Sequence, residues 1–167
     1  MLTELTIRPL NAADLPLLLE LEGDEQAMFY TGSPGAKSAA EIAERLDKVL
    51  SGAESHRQFH KLVAQHPEHG AIGIVLCYLG DSGHGEIGYM LLRRLWGQGL
   101  GQQLAVEALA LGQRQFPKQP LVALVYEDNV ASWKCLLNIG FTITKRLVCP
   151  DRGLNDMVLE WTPSDPD

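Results

Sequence analysis

Residues 85–102 read Gly-Glu-Ile-Gly-Tyr-Met-Leu-Leu-Arg-Arg-Leu-Trp-Gly-Gln-Gly-Leu-Gly-Gln. Glycine recurs at 97, 99 and 101, where an apolar run gives way to a helical pattern. The first amides of a helix have no partner within it and sit at the positive end of its dipole, so such a turn can hold an anion. Glycines let the backbone approach that anion unobstructed. Arg93 and Arg94, just upstream, could add charge. Glu86 heads the preceding strand, where alternation sets Glu86, Gly88 and Met90 on one face. A carboxylate there can accept a proton. Farther along, Glu127, Asp128, Asn129 and Ser132 gather at a strand-to-helix turn. They offer two rival carboxylate bases, an amide that can cap the helix or hold a ligand, and a hydroxyl that can return a proton. Tyr89 and Trp133 are expected to pack.

The anion is not a nucleotide by either common motif. A phosphate loop of the Walker type needs Gly-Lys-Ser or Gly-Lys-Thr, which is absent. A dinucleotide fingerprint would need glycine where Gln102 stands, on the first strand of a Rossmann unit. A plain glycine-rich turn is the alternative on the loop alone. Cys77, Cys135 and Cys149 are widely spaced without a CxxC pair, and read as small apolar fillers. His66 and His69 have no further ligand at metal spacing. No metal site is expected.

The elements that must position these residues follow from hydrophobic period. Leu5 to Leu10 reads as a first strand, followed by a helix capped by Asn11 or Asp14, with Leu15, Leu18, Leu19 and Glu22 on one face. Thr31 to Gly35 is a breaker. Ser38 and Glu41 have capping-box spacing before a helix striped by Ile42, Leu46, Val49 and Leu50. Phe59 to Gln65, Ile72 to Leu79 and Glu86 to Leu92 read as three strands, the middle one apolar enough to be covered on both faces. A helix with Leu100, Leu104, Ala105, Ala108 and Leu109 inward ends at Phe116-Pro117. Then come a strand (Leu121 to Tyr126), a short helix (Val130 to Ile139) closed by Gly140, and strands Phe141 to Val148 and Met157 to Trp161. Thr162 to Asp167 is a polar tail. The order β-α-α-β-β-β-α-β-α-β-β is an α/β domain in which an antiparallel meander feeds a β-α-β crossover.

The 167 residues fit one domain, with 46% hydrophobic and 21% charged residues, a globular composition. A net charge of −7 repels phosphate backbones, so nucleic acid is not an expected partner. No run approaches the roughly 20 apolar residues of a membrane helix, and the start lacks a secretory pattern. A cytoplasmic protein without membrane attachment is expected, as monomer or homodimer.

Trp96-Gly97-Gln98-Gly99-Leu100-Gly101 resembles motif A, (Q/R)xxGx(G/A), of the GNAT N-acetyltransferase superfamily. Asn129, Ser132, Gly140 and Phe141 resemble its motif B, N-x-x-S/A followed by a short helix and Gly-Phe. Ile7-Arg8-Pro9-Leu10 with Asp14-Leu15 looks like the family's opening, so the similarity spans residues 5–161. The combination looks closest to the ribosomal-protein-alanine N-acetyltransferase-like branch. The resemblance implies a single domain over residues 1–163 with a tail at 164–167. It implies an acyl-CoA N-acyltransferase fold: a mixed, mostly antiparallel sheet of six to seven strands, splayed at the cofactor site and flanked by about four helices. It implies acetyl-CoA as cosubstrate and a primary amine as acceptor, either a small molecule or a protein N-terminus. The pyrophosphate would lie on the amides of Gly97, Gln98, Gly99, Leu100, Gly101 and Gln102. The pantetheine arm would pair with the strand at Met90, Leu91 and Leu92, with Asn129 beside it. Glu86 would act as base and Ser132 would meet the thiolate. Two positions depart from the pattern. Trp96 replaces the basic or amide residue at the head of motif A, and Leu136 stands where many members carry the tyrosine that protonates the leaving thiolate. The second departure keeps a catalytically silent acyl-CoA-binding or regulatory domain as the alternative.

Overall fold

Seven strands form one sheet in the order β1-β2-β3-β4-β5-β7-β6. The computed structural model describes residues 4–29, 35–52, 59–81, 83–149 and 154–164. The strands are β1 (Thr6–Pro9), β2 (His60–His66), β3 (Gly70–Leu79), β4 (Gly85–Leu91), β5 (Leu121–Tyr126), β6 (Thr142–Cys149) and β7 (Leu154–Trp161). The helices are α1 (Leu15–Glu22), α2 (Glu25–Phe29), α3 (Ala39–Leu50), α4 (Leu100–Gln115) and α5 (Val130–Asn138). The α/β class, the mostly antiparallel sheet and the strand order along the chain all agree with expectation. The breaker at Thr31 to Pro34 and the tail residues 165–167 lie outside the described residues. Thr162 to Ser164 have no regular structure.

One helix was not expected. Between α1 and α3 the five residues of α2 are too few to show a period, yet Asp24 Oδ1 accepts from the amides of Gln26 (2.9 Å) and Ala27 (3.2 Å) and starts the turn. The inward face of α1 also differs. Leu17, Leu18, Leu21 and Glu22 are buried, whereas Leu15 and Leu19 are only partly so. Glu22 lies among cations rather than in an apolar stripe: Lys61 Nζ at 3.8 Å, Lys37 Nζ at 3.9 Å and Arg45 Nε at 4.0 Å. These contacts tie α1 to α3 and to β2. At the other end of α1, Arg8 donates to both oxygens of Asp14 (2.9 and 2.7 Å). Asp14 in turn accepts from the Asn11 amide, closing a capping box with the Asn11 side chain.

β3 touches α1 and α4, and its Ile72, Ile74, Val75 and Cys77 are fully buried, as a strand covered on both faces requires. Helix α4 buries Leu104, Ala105, Ala108 and Leu111 against β3 and β4. Its first residue is thereby held at the end of β4.

Candidate functional site

β4 and β5 run parallel but pair only at Gly85↔Leu121 and Glu86↔Val122. Beyond Glu86 the two strands part, although each continues for four or more residues. β4 remains fully paired to β3 on its other side, from Leu79↔Gly85 to Gly73↔Leu91. The sheet is therefore split into two arms with a V between them. One edge of β4 is left open. The Leu92 amide donates to Ile72 O (2.9 Å), committing its backbone to β3. By the two-residue alternation Met90 faces the same way, so Tyr89 and Leu91 present their backbone groups to the V. Trp96 Nε1 already donates to Leu91 O (2.9 Å), which fastens the indole over that edge.

At the mouth of the V stands the start of α4. Gly99, its N-cap, has φ +81° and offers no side-chain cap. Gly97 has φ +80°. These are left-handed conformations that glycine adopts without the strain a Cβ brings. A Cβ on Gly101 would meet nothing within 4 Å, so its surroundings are open groove. Trp96, Gly97, Gly99, Gly101, Gln102, Asn129, Ser132 and Cys135 line that groove together with the open edge of β4, enclosing about 460 Å³. The uncapped amides of a 16-residue helix thus face a cavity edged by glycine. An anion fits here. Arg93 and Arg94, which could add charge here, each donate Nε to a carboxylate, that of Asp24 (2.7 Å) and Glu20 (2.6 Å).

A second chamber of about 300 Å³ lies deeper in the V and shares Tyr89, Met90, Asn129 and Ser132 with the groove. Those four residues mark the junction of the two spaces. Glu86 lines this chamber on the face carrying Leu76, Tyr78 and Gly88, as alternation predicts. Its Oε2 accepts from the Tyr78 hydroxyl, and its Oε1 lies where a Cβ on Gly80 would have to stand. The rival carboxylates lie outside both spaces. Glu127 accepts from Asn155 Nδ2 (3.1 Å) and pairs with Arg146 Nε (3.4 Å), and Asp128 is exposed.

Asn129 makes no side-chain capping bond to α5, so its amide is not spent on the helix. Ser132 occupies the first turn of α5. There the Tyr89 hydroxyl reaches both its Oγ (3.0 Å) and its carbonyl O (3.1 Å). Burial pushes the Tyr89 phenol up to about 12, so it stays protonated at neutral pH. The sequence reading had Tyr89 packing only; its hydroxyl is instead a polar group at the junction. Leu136 is fully buried and brings no donor. Gln102 binds helix to helix, donating to Cys135 O (3.1 Å) and accepting from Asn138 Nδ2 (3.1 Å). Of the fillers, Cys77 is buried with its thiol pushed to about 12, and Cys135 lines the groove with its thiol raised by burial. His66 Nδ1 accepts from the amides of Glu68 (3.0 Å) and His69 (3.2 Å), a turn cap rather than a ligand. Among the described residues no group of His, Cys, Asp or Glu could hold a metal, and no helix is long and apolar enough to cross a membrane.

One residue of the chamber had no forerunner in the sequence reading. Asp156 lies on β7 opposite Tyr126 of β5, and burial raises its carboxyl above the usual range. The strand was expected to begin at Met157, which left Asp156 outside it; alternation with Val158 and Glu160 was the available signal.

Comparison with known proteins agrees with this fold. The family model described as the acetyltransferase (GNAT) domain matches residues 4–142. Among solved structures, the spermidine N-acetyltransferase of Vibrio cholerae, in complex with CoA and spermine, superposes with a TM-score of 0.80 at 18% identity, covering 95% of each chain. A GNAT-family acetyltransferase from Bacillus anthracis gives 0.79 at 15% identity over 97% of each chain. An acetyltransferase from Salmonella typhimurium, solved with acetyl-CoA, gives 0.72 at 20% identity over 98% of each.

Proposed function

The chain belongs to the GNAT acetyltransferase family, and from that premise we propose that it moves an acetyl group from acetyl-CoA to a primary amine by direct attack. The observation that carries this reading is the V between β4 and β5, with an uncapped helix start at its mouth and two hydroxyls at its junction. The groove suits the cosubstrate part by part. The amides of residues 97–102 face the pyrophosphate, the open edge of β4 from Tyr89 to Leu91 receives the pantetheine arm, and the Asn129 amide borders it. When bound, acetyl-CoA supplies an activated acyl group on a thiol leaving group.

The chain must then do three things. Glu86 takes a proton from the incoming ammonium, directly or through water, so that the nitrogen lone pair can form the new C–N bond. The junction donors steady the oxygen that gains charge as the C–N bond forms. Ser132, oriented by Tyr89, relays to the departing sulfur the second proton that the nitrogen sheds as the amide forms. The balance is one ammonium and one thioester in, one amide, one thiol and one proton out.

The test is direct. Acetyl-CoA at 100 times its dissociation constant should stabilise the fold by about 2.7 kcal/mol, visible as a rise in melting temperature that ATP and NAD do not match. Incubation with primary amines should release free CoA. Binding without release from any amine would favour the silent acyl-CoA-binding domain that Leu136 permits.

A further inference from the structure

The deeper chamber has a chemistry of its own. Tyr78 faces Glu86 across β3 and β4, and Tyr126 faces Asp156 across β5 and β7. Each arm of the V thus brings one carboxylate and one phenol to the same cavity of about 300 Å³, and none of the residues lining it is basic. Several carboxylates elsewhere pair with cations: Asp14 with Arg8, Asp24 with Arg93, Glu20 with Arg94, Glu22 with Lys61 and Glu127 with Arg146. Glu86 and Asp156 line a cavity that no cationic side chain lines, with Glu86 accepting from the Tyr78 hydroxyl. Burial is the cause that acts on Asp156, and it disfavours the charged form, a cost that an incoming cation offsets.

We propose that the acceptor is a small amine bearing a second positive charge, with Glu86 receiving the reacting ammonium and Asp156 holding the other. This rests on the acetyl-transfer reading above. The sheet register sets the span. Val122, partner of Glu86, and Tyr126, partner of Asp156, lie four residues apart on β5, roughly 13 Å at about 3.3 Å per residue. That distance leaves room for a linear diamine lying along the V with its methylenes against Leu76 and Leu124, which also line the chamber. A peptide N-terminus places one ammonium at the junction and gives Asp156 nothing to bind. Asp156 is then a specificity residue, acting on recognition rather than on the bond-making step.

The experiment measures CoA release from the full chain with acetyl-CoA, using short linear diamines, n-alkylamines of the same length and a peptide without lysine. The wild-type protein should favour diamines at least about tenfold in kcat/KM. Asp156→Asn should raise KM for diamines about 10- to 100-fold, with kcat little changed and the alkylamine rates within about twofold. Asp156→Glu, which keeps the charge, should retain the diamine preference. An undiminished preference in Asp156→Asn, or an equal loss for both amine classes, overturns the role of Asp156. A wild-type preference for alkylamine or peptide overturns the acceptor class while leaving acetyl transfer in place. Acetyl-CoA binding with no release from any of the three overturns the transfer reading itself, and this proposal with it.

Discussion

The Tyr89 hydroxyl lies 3.0 Å from Ser132 Oγ and 3.1 Å from Ser132 O, so a phenol on β4 reaches across the opening of the sheet to the first turn of α5. The contact joins residues 43 positions apart and ties the two walls of the junction together. With its phenol pushed up to about 12, Tyr89 stays protonated throughout the neutral range and keeps its hydroxyl against that of Ser132. Leu136, buried on the same helix, leaves Ser132 and Tyr89 as the hydroxyls at this point.

Tyr89→Phe keeps the ring and removes that link. Stability should fall by about 1 kcal/mol, the usual net worth of one hydrogen bond. In turnover, kcat should drop about tenfold or more while acetyl-CoA affinity changes less than about threefold. Adding Ser132→Ala to this variant should cost little more, because the two hydroxyls act as one unit. A double-mutant cycle on kcat checks this; multiplicative losses would separate Tyr89 from Ser132.

Gly101→Ala should move stability and affinity in opposite directions. Gly101 is the second residue of α4, and a Cβ there meets no protein atom within 4 Å. Alanine is better than glycine in a helix by up to about 1 kcal/mol, so the free protein should melt slightly higher. The methyl group nonetheless projects into the groove edge where the pyrophosphate would approach, and acetyl-CoA affinity should fall by about tenfold or more. Gly99→Val tests the same loop less cleanly, since its φ of +81° adds strain in the free protein. Calorimetric titration and a melting curve on Gly101→Ala read both effects. Unchanged affinity would reduce the loop to a turn.

Local pattern carried most of the architecture. Each strand showed as an alternating or apolar run, and α4 and α5 showed as helical stripes behind glycine and asparagine. What escaped depended on contacts between distant segments. Arg93 and Arg94 stand beside the glycine loop in sequence, yet they bond to Asp24 and Glu20, 69 and 74 positions away. Tyr89 looked like an ordinary strand aromatic because its partner is on another element. Asp156 was missed for a different reason: polar residues near a strand end weaken the apolar run that marks where the strand begins. By contrast, Glu86 stood out because its strand leads directly into the glycine loop, and the register places it in the chamber.

The Arg8–Asp14 pair sets an acid-dependent part of stability. The hydrogen bonds from Arg8 hold the Asp14 carboxyl below the usual carboxylate range, while its burial acts in the opposite sense. A depressed folded-state value means that the contribution is complete above the unfolded value of about 3.9 and is lost as pH falls through the folded one. Asp14→Asn removes the bidentate pair and should cost about 1.5–3 kcal/mol at pH 7, or roughly 3–10 °C in melting temperature. The gap between wild type and variant should close as pH is lowered below about 4. A gap that stays constant from pH 7 to pH 3 would show that shape, not charge, matters at Asp14.

Glu86→Gln separates proton acceptance from everything else the side chain does. Glutamine keeps the length and can still accept from the Tyr78 hydroxyl, so the chamber wall and the packing over Gly80 should survive. What it cannot do is receive the ammonium proton. General acid–base groups contribute roughly 10²–10⁴-fold, so kcat/KM at pH 7 should fall by about a hundredfold or more, with acetyl-CoA affinity nearly unchanged. The remaining reaction must draw on amine that is already neutral in solution. That fraction rises about tenfold per pH unit until the amine's own value, roughly 10.4 for a lysine-like amine and about 8 for an α-amine. The variant's rate should therefore climb with pH over that range, narrowing its deficit against wild type toward alkaline pH. Ser132→Ala should show no such narrowing, because protonating the departing sulfur is a separate step that neutral amine does not replace. Parallel pH–rate profiles of wild type and Glu86→Gln would remove Glu86 as base. The ammonium proton would then leave by way of water.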